Sequence, residues 1–505
     1  MAQEGRKEPT VSLRLIIDEE KNKVVLAEAG KDFVQVLFTF LTLPMGTIVR
    51  LLEEHQDSEP VTVGCLSNLY RSVVDMKIDD FETEACKQML LYPKNIRESR
   101  YINFKLNIDP TERFKCFGCL FFRICRMSSN FDTSLCKCGE VMNEEISFSQ
   151  YEDSMQNDVG GVFSRDKSFI ITDDLTLTDD STSSFLQTLK DIGCTDVSKL
   201  REEVLHIGLK EAMTLLQCLF TSSAPLTDTF LKNQSSHVMR KIYRKPSPCM
   251  EDKGDKAEPD EVITFDAIVR RQDMKILYVE CGEDFVDLLF TFLAIPLEST
   301  WEISGNNITL GRIGNLCRSF KDLNANEGTE VSSTTSECML PYYYRCKKQL
   351  LNIRTPTPRL YLSRSYDWTL SYSRSFVLTT KRNSERMSFV DPKSDFCDRS
   401  KDGKGFVKRG TKFTVSDDLI VTPKNSSSTF SVLKMFRIHT DDLEVQAITI
   451  SNAEALNLLS ASLVTSSALS SAFGNLIMKK PKEEKVSWNP VLKKPKVETQ
   501  RWREP

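Results

Sequence analysis

The sequence predicts an α+β fold made of two tandem copies of one α+β unit. Three observations carry this. FVQVLFTFLTLP at 33–44 returns 252 residues later as FVDLLFTFLAIP at 285–296, identical at eight of twelve positions. The flanking segments return in the same order. VGCLSNLYRSV (63–73) resembles LGRIGNLCRSF (310–320), FIITDDLTLT (169–178) resembles FTVSDDLIVT (413–422), and TSSAPLTDTF (221–230) echoes TSSALSSAF (465–473). Strand-like and helix-like runs also come in clusters and do not alternate strictly, which favours α+β over a parallel α/β sheet. The expected organisation is a first lobe at 10–234, a linker at 235–261, a second lobe at 262–478 and a basic, disordered tail at 479–505. Each lobe is long enough for its own core, and two long units are too few for a solenoid.

Each unit opens with a β-hairpin. LRLII and KVVLAE flank DEEKNK in the first copy, and FDAIV and KILYVE flank RRQD in the second. Asp32 and Asp284 stand just before apolar runs, as N-cap carboxylates do. The twelve-mer reads as a helix ended by Pro44 or Pro296. It is apolar nearly all round, so it belongs inside a core, and a hairpin laid across it is the expected nucleus of each lobe. Helical stretches follow near 66–74 and 313–320. The DDL segments read as strand regions. TDDSTSSF and KNSSSTF supply caps for the helices FLQTLKDI and FSVLKMFRI. KLREEVLHIGLKEAMTLLQCLF has helical periodicity and closes the first lobe.

The bulk properties exclude several classes. The chain carries 67 Lys/Arg against 71 Asp/Glu, a net charge of −4, which gives no global preference for nucleic acid. The charge is uneven: residues 478–505 hold nine basic and four acidic residues. The polar start MAQEGRKEPT has no apolar segment of a secretory signal, and no apolar run reaches the roughly 18–20 residues of a membrane span. A cytoplasmic or nuclear location follows as an expectation, with the 15 cysteines as thiols or metal ligands.

Cys116-Phe-Gly-Cys119 and Cys136-Lys-Cys138-Gly139 form the strongest chemical motif, a zinc-ribbon-like insertion at 114–140. Four thiolates in two close pairs can wrap a tetrahedral Zn²⁺, although C-x-C replaces the usual second C-x-x-C. Cys125 or Cys86 can substitute as ligands, and unconnected thiols are the alternative. The matching interval of the second lobe has Cys338, Cys346 and Cys397 but no paired cysteines, so a zinc here is structural and confined to the first lobe. Asp173-Asp174 and Asp417-Asp418 can bind Mg²⁺ or Ca²⁺, but a solvated turn is the plainer reading. GVFSRDKS (161–168) and GFVKRGTK (405–412) depart from the phosphate-loop pattern, and each precedes a predicted strand where such a loop needs a helix. Asn68, Arg71 and Ser72 recur as Asn315, Arg318 and Ser319, either as a paired ligand surface or as a retained helix face. His206 lies in the predicted helix and reads as a packed or partly exposed side chain. No hydrolase, zincin or dinucleotide motif occurs.

The repeated EAGKDFVQVLFTFLTLPMGTIVRLL and CGEDFVDLLFTFLAIP, with CKCG and ITDDLTL, resemble the plant-specific domain-of-unknown-function 674 family over nearly the whole chain. The resemblance implies a land-plant origin and brings no reaction, cofactor or catalytic residue. The expected function is a non-catalytic intracellular binding or scaffold protein with protein partners. A zinc-supported nucleic-acid-binding protein is the alternative, and an enzyme comes third.

Overall fold

The computed structural model describes residues 9–55, 61–93, 108, 112, 114–118, 127–145, 167–194, 196–231, 262–303, 311–326, 361–366, 374–379, 385–386, 388–389, 405–424, 434 and 440–477. The expected linker and tail, FSVLKMFRI apart from one residue, and Cys119, Cys125, Cys338, Cys346 and Cys397 lie outside them.

The first half opens with strands β1 (Val11–Asp18) and β2 (Lys23–Gly30). Alternation in VSLRLIID turns Val11, Leu13, Leu15 and Ile17 inward and leaves Ser12 and Arg14 exposed. Helix α1 (Lys31–Thr42) follows directly, then α2 (Met45–Glu54), α3 (Leu66–Asp75) and α4 (Glu84–Leu91). Three two-residue strands come next: β3 (Phe114–Lys115), β4 (Met127–Ser128) and β5 (Glu144–Glu145). Then come β6 (Ser168–Thr172), β7 (Leu177–Asp179), α5 (Thr182–Asp191), β8 (Leu200–Ile207), α6 (Leu209–Thr221) and α7 (Pro225–Phe230). The five long strands form an antiparallel sheet ordered β7-β6-β2-β1-β8.

The second half has β9 (Ile263–Arg270), β10 (Lys275–Cys281), α8 (Glu283–Ala294), α9 (Leu297–Ile303) and α10 (Ile313–Asn326). Short strands β11 (Tyr361–Tyr366), β12 (Arg374–Thr379), β13 (Glu385–Arg386) and β14 (Ser388–Phe389) follow. It closes with β15 (Phe413–Ser416), β16 (Val421–Pro423), β17 (Leu443–Ile450), α11 (Asn452–Val464) and α12 (Ala468–Phe473). Its sheet order is β16-β15-β10-β9-β17, position for position that of the first half. The fold is mixed α+β, as expected.

The expectation of a separate core in each lobe is not met: the main apolar core runs through both halves. The reason is the helix pair α1 and α8. Each covers its own sheet on one side. On the other side α1 meets α9 and α10, and α8 meets α2, α3 and α4, all from the opposite half. A helix packed on both sides has no solvent face, so it is apolar all round. Leu37 and Leu289 are fully buried. Aromatic contacts cross the joint, with ring centroids 5.1 Å apart for Phe38 and Phe320 and 6.3 Å for Phe81 and Phe290. Asp287, the one acid buried within α8, accepts the backbone N–H groups of Phe406 (2.7 Å) and Val407 (3.1 Å).

Four local expectations need correction. Asp32 and Asp284 are not N-caps. Gly30 and Gly282 hold that position, because the strand runs straight into the helix, and the carboxylates fall in the first turn beside its unpaired N–H groups. Pro44 ends α1, but it also opens α2, a helix beyond those expected; its TIVRLLEE segment carries an Arg50–Glu54 pair at 2.9 Å. KLREEVLHI is not helical. Leu200–Ile207 pairs along its whole length with β1, and Gly208 separates it from α6, so tertiary pairing overrides an ambiguous period. His206 is therefore an exposed strand residue opposite Ser12. The DDL segments are the turns of hairpins β6–β7 and β15–β16, as the plainer reading expected, yet Asp173 and Asp417 are buried and not solvated. Ser181 does cap α5, accepting the N–H of Ser184 at 3.1 Å.

Truncating a fully buried leucine of α8, a helix packed against both halves, should cost about 2–5 kcal/mol. Leu289→Ala is expected to lower unfolding free energy by that amount in a denaturant titration. A loss below about 1 kcal/mol would contradict the burial of α8.

Candidate metal centre

Three of the four predicted cysteines converge. Lys115 ends β3, whose partner is β5 (Phe114 opposite Glu145), and Cys116 follows directly. Phe114 also exchanges backbone hydrogen bonds with Ser129, of 2.8 and 3.0 Å. The second arm is a tight turn. Leu135 bridges Val141, Cys136 N–H donates to Glu140 O at 2.8 Å, and Gly139 N–H donates to Cys136 O at 2.8 Å. Gly139 has φ +85°, a conformation that suits glycine and lets the chain reverse immediately after Cys138. Gly118 N–H donates to the Glu140 carboxylate at 2.9 Å and ties the two arms together.

The sulfurs of Cys116, Cys136 and Cys138 lie within 4.8 Å of one another, with Cys116 and Cys138 3.4 Å apart. Thiolates about 2.3 Å from a tetrahedral zinc lie roughly 3.8 Å from each other, so the spacing suits one shared metal. It is far too long for an S–S bond of about 2.05 Å. Cys116 and Cys136 are buried with Met127 and Met142, and Cys138 faces solvent. Such a donor set is soft and anionic when deprotonated, which fits Zn²⁺. Cys119, the fourth predicted ligand, is outside the described residues. Cys86 lies in the main core, where its sulfur accepts the Thr83 hydroxyl, and it is not one of this group. The module is fastened to the body by Thr133, whose hydroxyl donates to Gln88 at 2.9 Å, and by β4 pairing in parallel with β14 of the second half.

The other candidates have structural partners. Asp173 accepts from Thr227 N (2.9 Å) and Thr227 Oγ1 (2.7 Å) at the start of α7, and Lys23 Nζ lies 3.7 Å away. Asp417 repeats this with Ser470 N (2.7 Å) at the start of α12 and with Lys275 at 3.4 Å. Burial pushes both carboxyls above the usual range, and these hydrogen bonds and lysines only partly offset it. Asp174 and Asp418 turn the other way. Asn315 Nδ2 donates to Asp174 O and Oδ2, both at 2.9 Å, and Asn68 Nδ2 donates to Asp418 O (3.0 Å) and Oδ2 (3.2 Å). Ser319 Oγ accepts Leu177 N–H and Ser72 Oγ accepts Val421 N–H, each at 2.9 Å. The recurring Asn and Ser are thus inter-half contacts. The matching signal lay in the sequence: two polar motifs, each repeated, can be each other's partners. Arg71 and Arg318 are less regular, bonding Glu53 (3.1 Å) and Asn315 (2.7 Å).

The remaining chemistry is quiet. Lys412 leads directly into strand β15, so GFVKRGTK has no helix N-terminus to face a phosphate. Burial pushes the Cys65 and Cys281 thiols up to about 12, which removes the thiolate a nucleophile needs. His55 Nδ1 lies 3.2 Å from Leu51 O at the end of α2.

Fold and site together define a mixed α+β protein of two like halves, the first of which carries a cysteine cluster suited to a metal. No helix among the described residues is long and apolar enough to cross a membrane. The chain belongs to the family described as "Protein of unknown function (DUF674)", whose match spans residues 7–453. No curated protein and no solved structure matches it.

The raised Asp173 carboxyl has a defined pH signature. Its folded state holds a proton more tightly than the unfolded chain, so stability is greater at low pH. It falls as pH rises from the ordinary value of 3.8 through the raised one. Against Asp173→Asn as reference, the wild-type protein should therefore lose relative stability across that window, measured by denaturant titration at a series of pH values. A relative gain would contradict the assignment.

Proposed function

We propose that this is a non-catalytic binding or scaffold protein of a reducing compartment, cytoplasm or nucleus, whose first half is stapled by one structural Zn²⁺. Cys116, Cys136 and Cys138 would hold the ion, with Cys119 as the fourth thiolate. The convergence of three cysteine sulfurs from two separate arms carries the metal part of this reading. Zinc bound by thiolates alone has no open position for substrate; it supplies folding energy by cross-linking β3 to the 134–142 turn. The scaffold part is supported by how the polar residues common to both halves are used. Asn68, Ser72, Asn315, Ser319 and the four aspartates bond to backbone and to one another across and within the halves. The nucleic-acid alternative rests on the basic tail, and the rest of the chain is net acidic, which counts against it.

Metal analysis of the full chain, purified without chelator, tests the zinc. About one equivalent is expected, falling several-fold in Cys138→Ser while the far-UV circular dichroism of the main sheets stays unchanged. Less than half an equivalent in the wild type would overturn it. A protein partner recovered in stoichiometric amount with the full chain supports the scaffold role, and turnover of a small molecule by the purified chain contradicts it.

A further inference from the structure

Three sets of polar contacts across the joint occur twice, with the roles of the halves exchanged; the backbone bonds from Glu82 N–H to Phe406 O and from Lys408 N–H to Asp80 O (2.9 Å each) have no counterpart among the described residues. Met45 N–H donates to Ile295 O (2.9 Å), and Leu297 N–H donates to Leu43 O (3.0 Å), around the bridge between Pro44 and Pro296. These are corresponding ends of the two twelve-mers, so an approximate two-fold axis passes between them. Further out, Cys65 N–H donates to Ser462 O (2.7 Å), and Arg312 N–H donates to Leu219 O (3.1 Å). The preceding glycines are matched as well. Gly64 (φ +50°) and Gly311 (φ +47°) would place a Cβ 2.3 Å from Ser462 O and 2.0 Å from Leu219 O, so only glycine fits. Outermost are the Asn68–Asp418 and Asn315–Asp174 pairs, with Ser72 and Ser319 on Val421 and Leu177.

A contact set in which residue i of one body meets j of the other, while j meets i, is the signature of a two-fold self-complementary interface. We propose that the joint is such a dimer interface carried within one chain. Each half thus presents a docking surface whose partner is a second half of the same kind. That partner comes here from the same chain, and a second copy of the chain can supply it too. The chemistry of recognition is specific: an Asp-Asp-Leu hairpin turn received by an Asn-x-x-x-Ser helix face, in both directions. Several of the bonds join backbone to backbone and so depend little on side-chain identity.

The test keeps the full chain. A site-specific protease sequence is placed within 246–256, and the folded protein is cleaved there. The two fragments are expected to remain together at the mass of the intact chain in size exclusion with light scattering. Cleaved protein mixed with an isotope-labelled copy in mild denaturant, then returned to buffer, is expected to give hybrid pairs by native mass spectrometry. Asn68→Ala and Asn315→Ala, made singly, should weaken the fragment pair by similar factors, on the order of tenfold each. Should either variant fail to fold, Ser72→Ala and Ser319→Ala give the same comparison. Fragments that separate as folded monomers on cleavage would overturn the proposal. So would a tenfold effect from one variant of a pair and none from its counterpart.

Discussion

Asn315 reaches out of a helix of the second half and closes two hydrogen bonds on the Asp174 turn of the first, while Asn68 does the same in return. These bonds are part-buried; each carboxylate keeps a hydroxyl partner in its own turn, Thr172 or Ser416, so removing the amide leaves the turn carbonyl unpaired, at a cost of about 1–3 kcal/mol. The turn they grip is itself constrained. Leu175 and Leu419 adopt φ +61° and +65°, which disfavours an L-residue by about 1–2 kcal/mol. Both side chains are fully buried, and the neighbouring aspartates are fixed on the opposite side by α7 and α12. One short hairpin turn thus fastens its own half through its first aspartate and the other half through its second.

This exchange explains the oddest part of the composition. A twelve-residue helix without a polar face is a liability unless both sides are covered. The sheet covers one side of α1 and helices of the other half cover the other, and α8 is treated likewise. Burying a large apolar side chain contributes about 1.5–3 kcal/mol, so the repeated phenylalanines and leucines make the joint and the core the same object. The cysteine module lies at the margin of this body. Its small buried cluster of Cys116, Met127, Cys136 and Met142 is separate from the main core, and a domain segment with so little apolar mass is where a metal cross-link adds most.

Much of this was legible in the sequence. The hairpins, the twelve-mer helix, the following helices near 66 and 313, and the convergence of Cys116, Cys136 and Cys138 all follow from local pattern and spacing. Strand β8 reads as helix in the sequence because its alternation is weak. An edge strand with one solvent-facing side shows charged residues at a period that a helix can also satisfy, and only its pairing with β1 decides. The second helix is hidden in the sequence because Pro44 reads as a stop, when proline is also at home at the start of a helix. The exchange itself was out of reach. Periodicity says that Leu289 is buried, but nothing local says which half supplies the cover.

Whether the halves open together is the sharpest measurement. Native-state hydrogen exchange read by mass spectrometry across rising denaturant can follow peptides from β2 and β10 in one sample. A joint that is also the core predicts that both strands open with the same free energy and the same denaturant dependence. If β2 exchanged through a transition well below that of β10, or the reverse, the halves would be independent bodies and the exchanged helices only a contact between them.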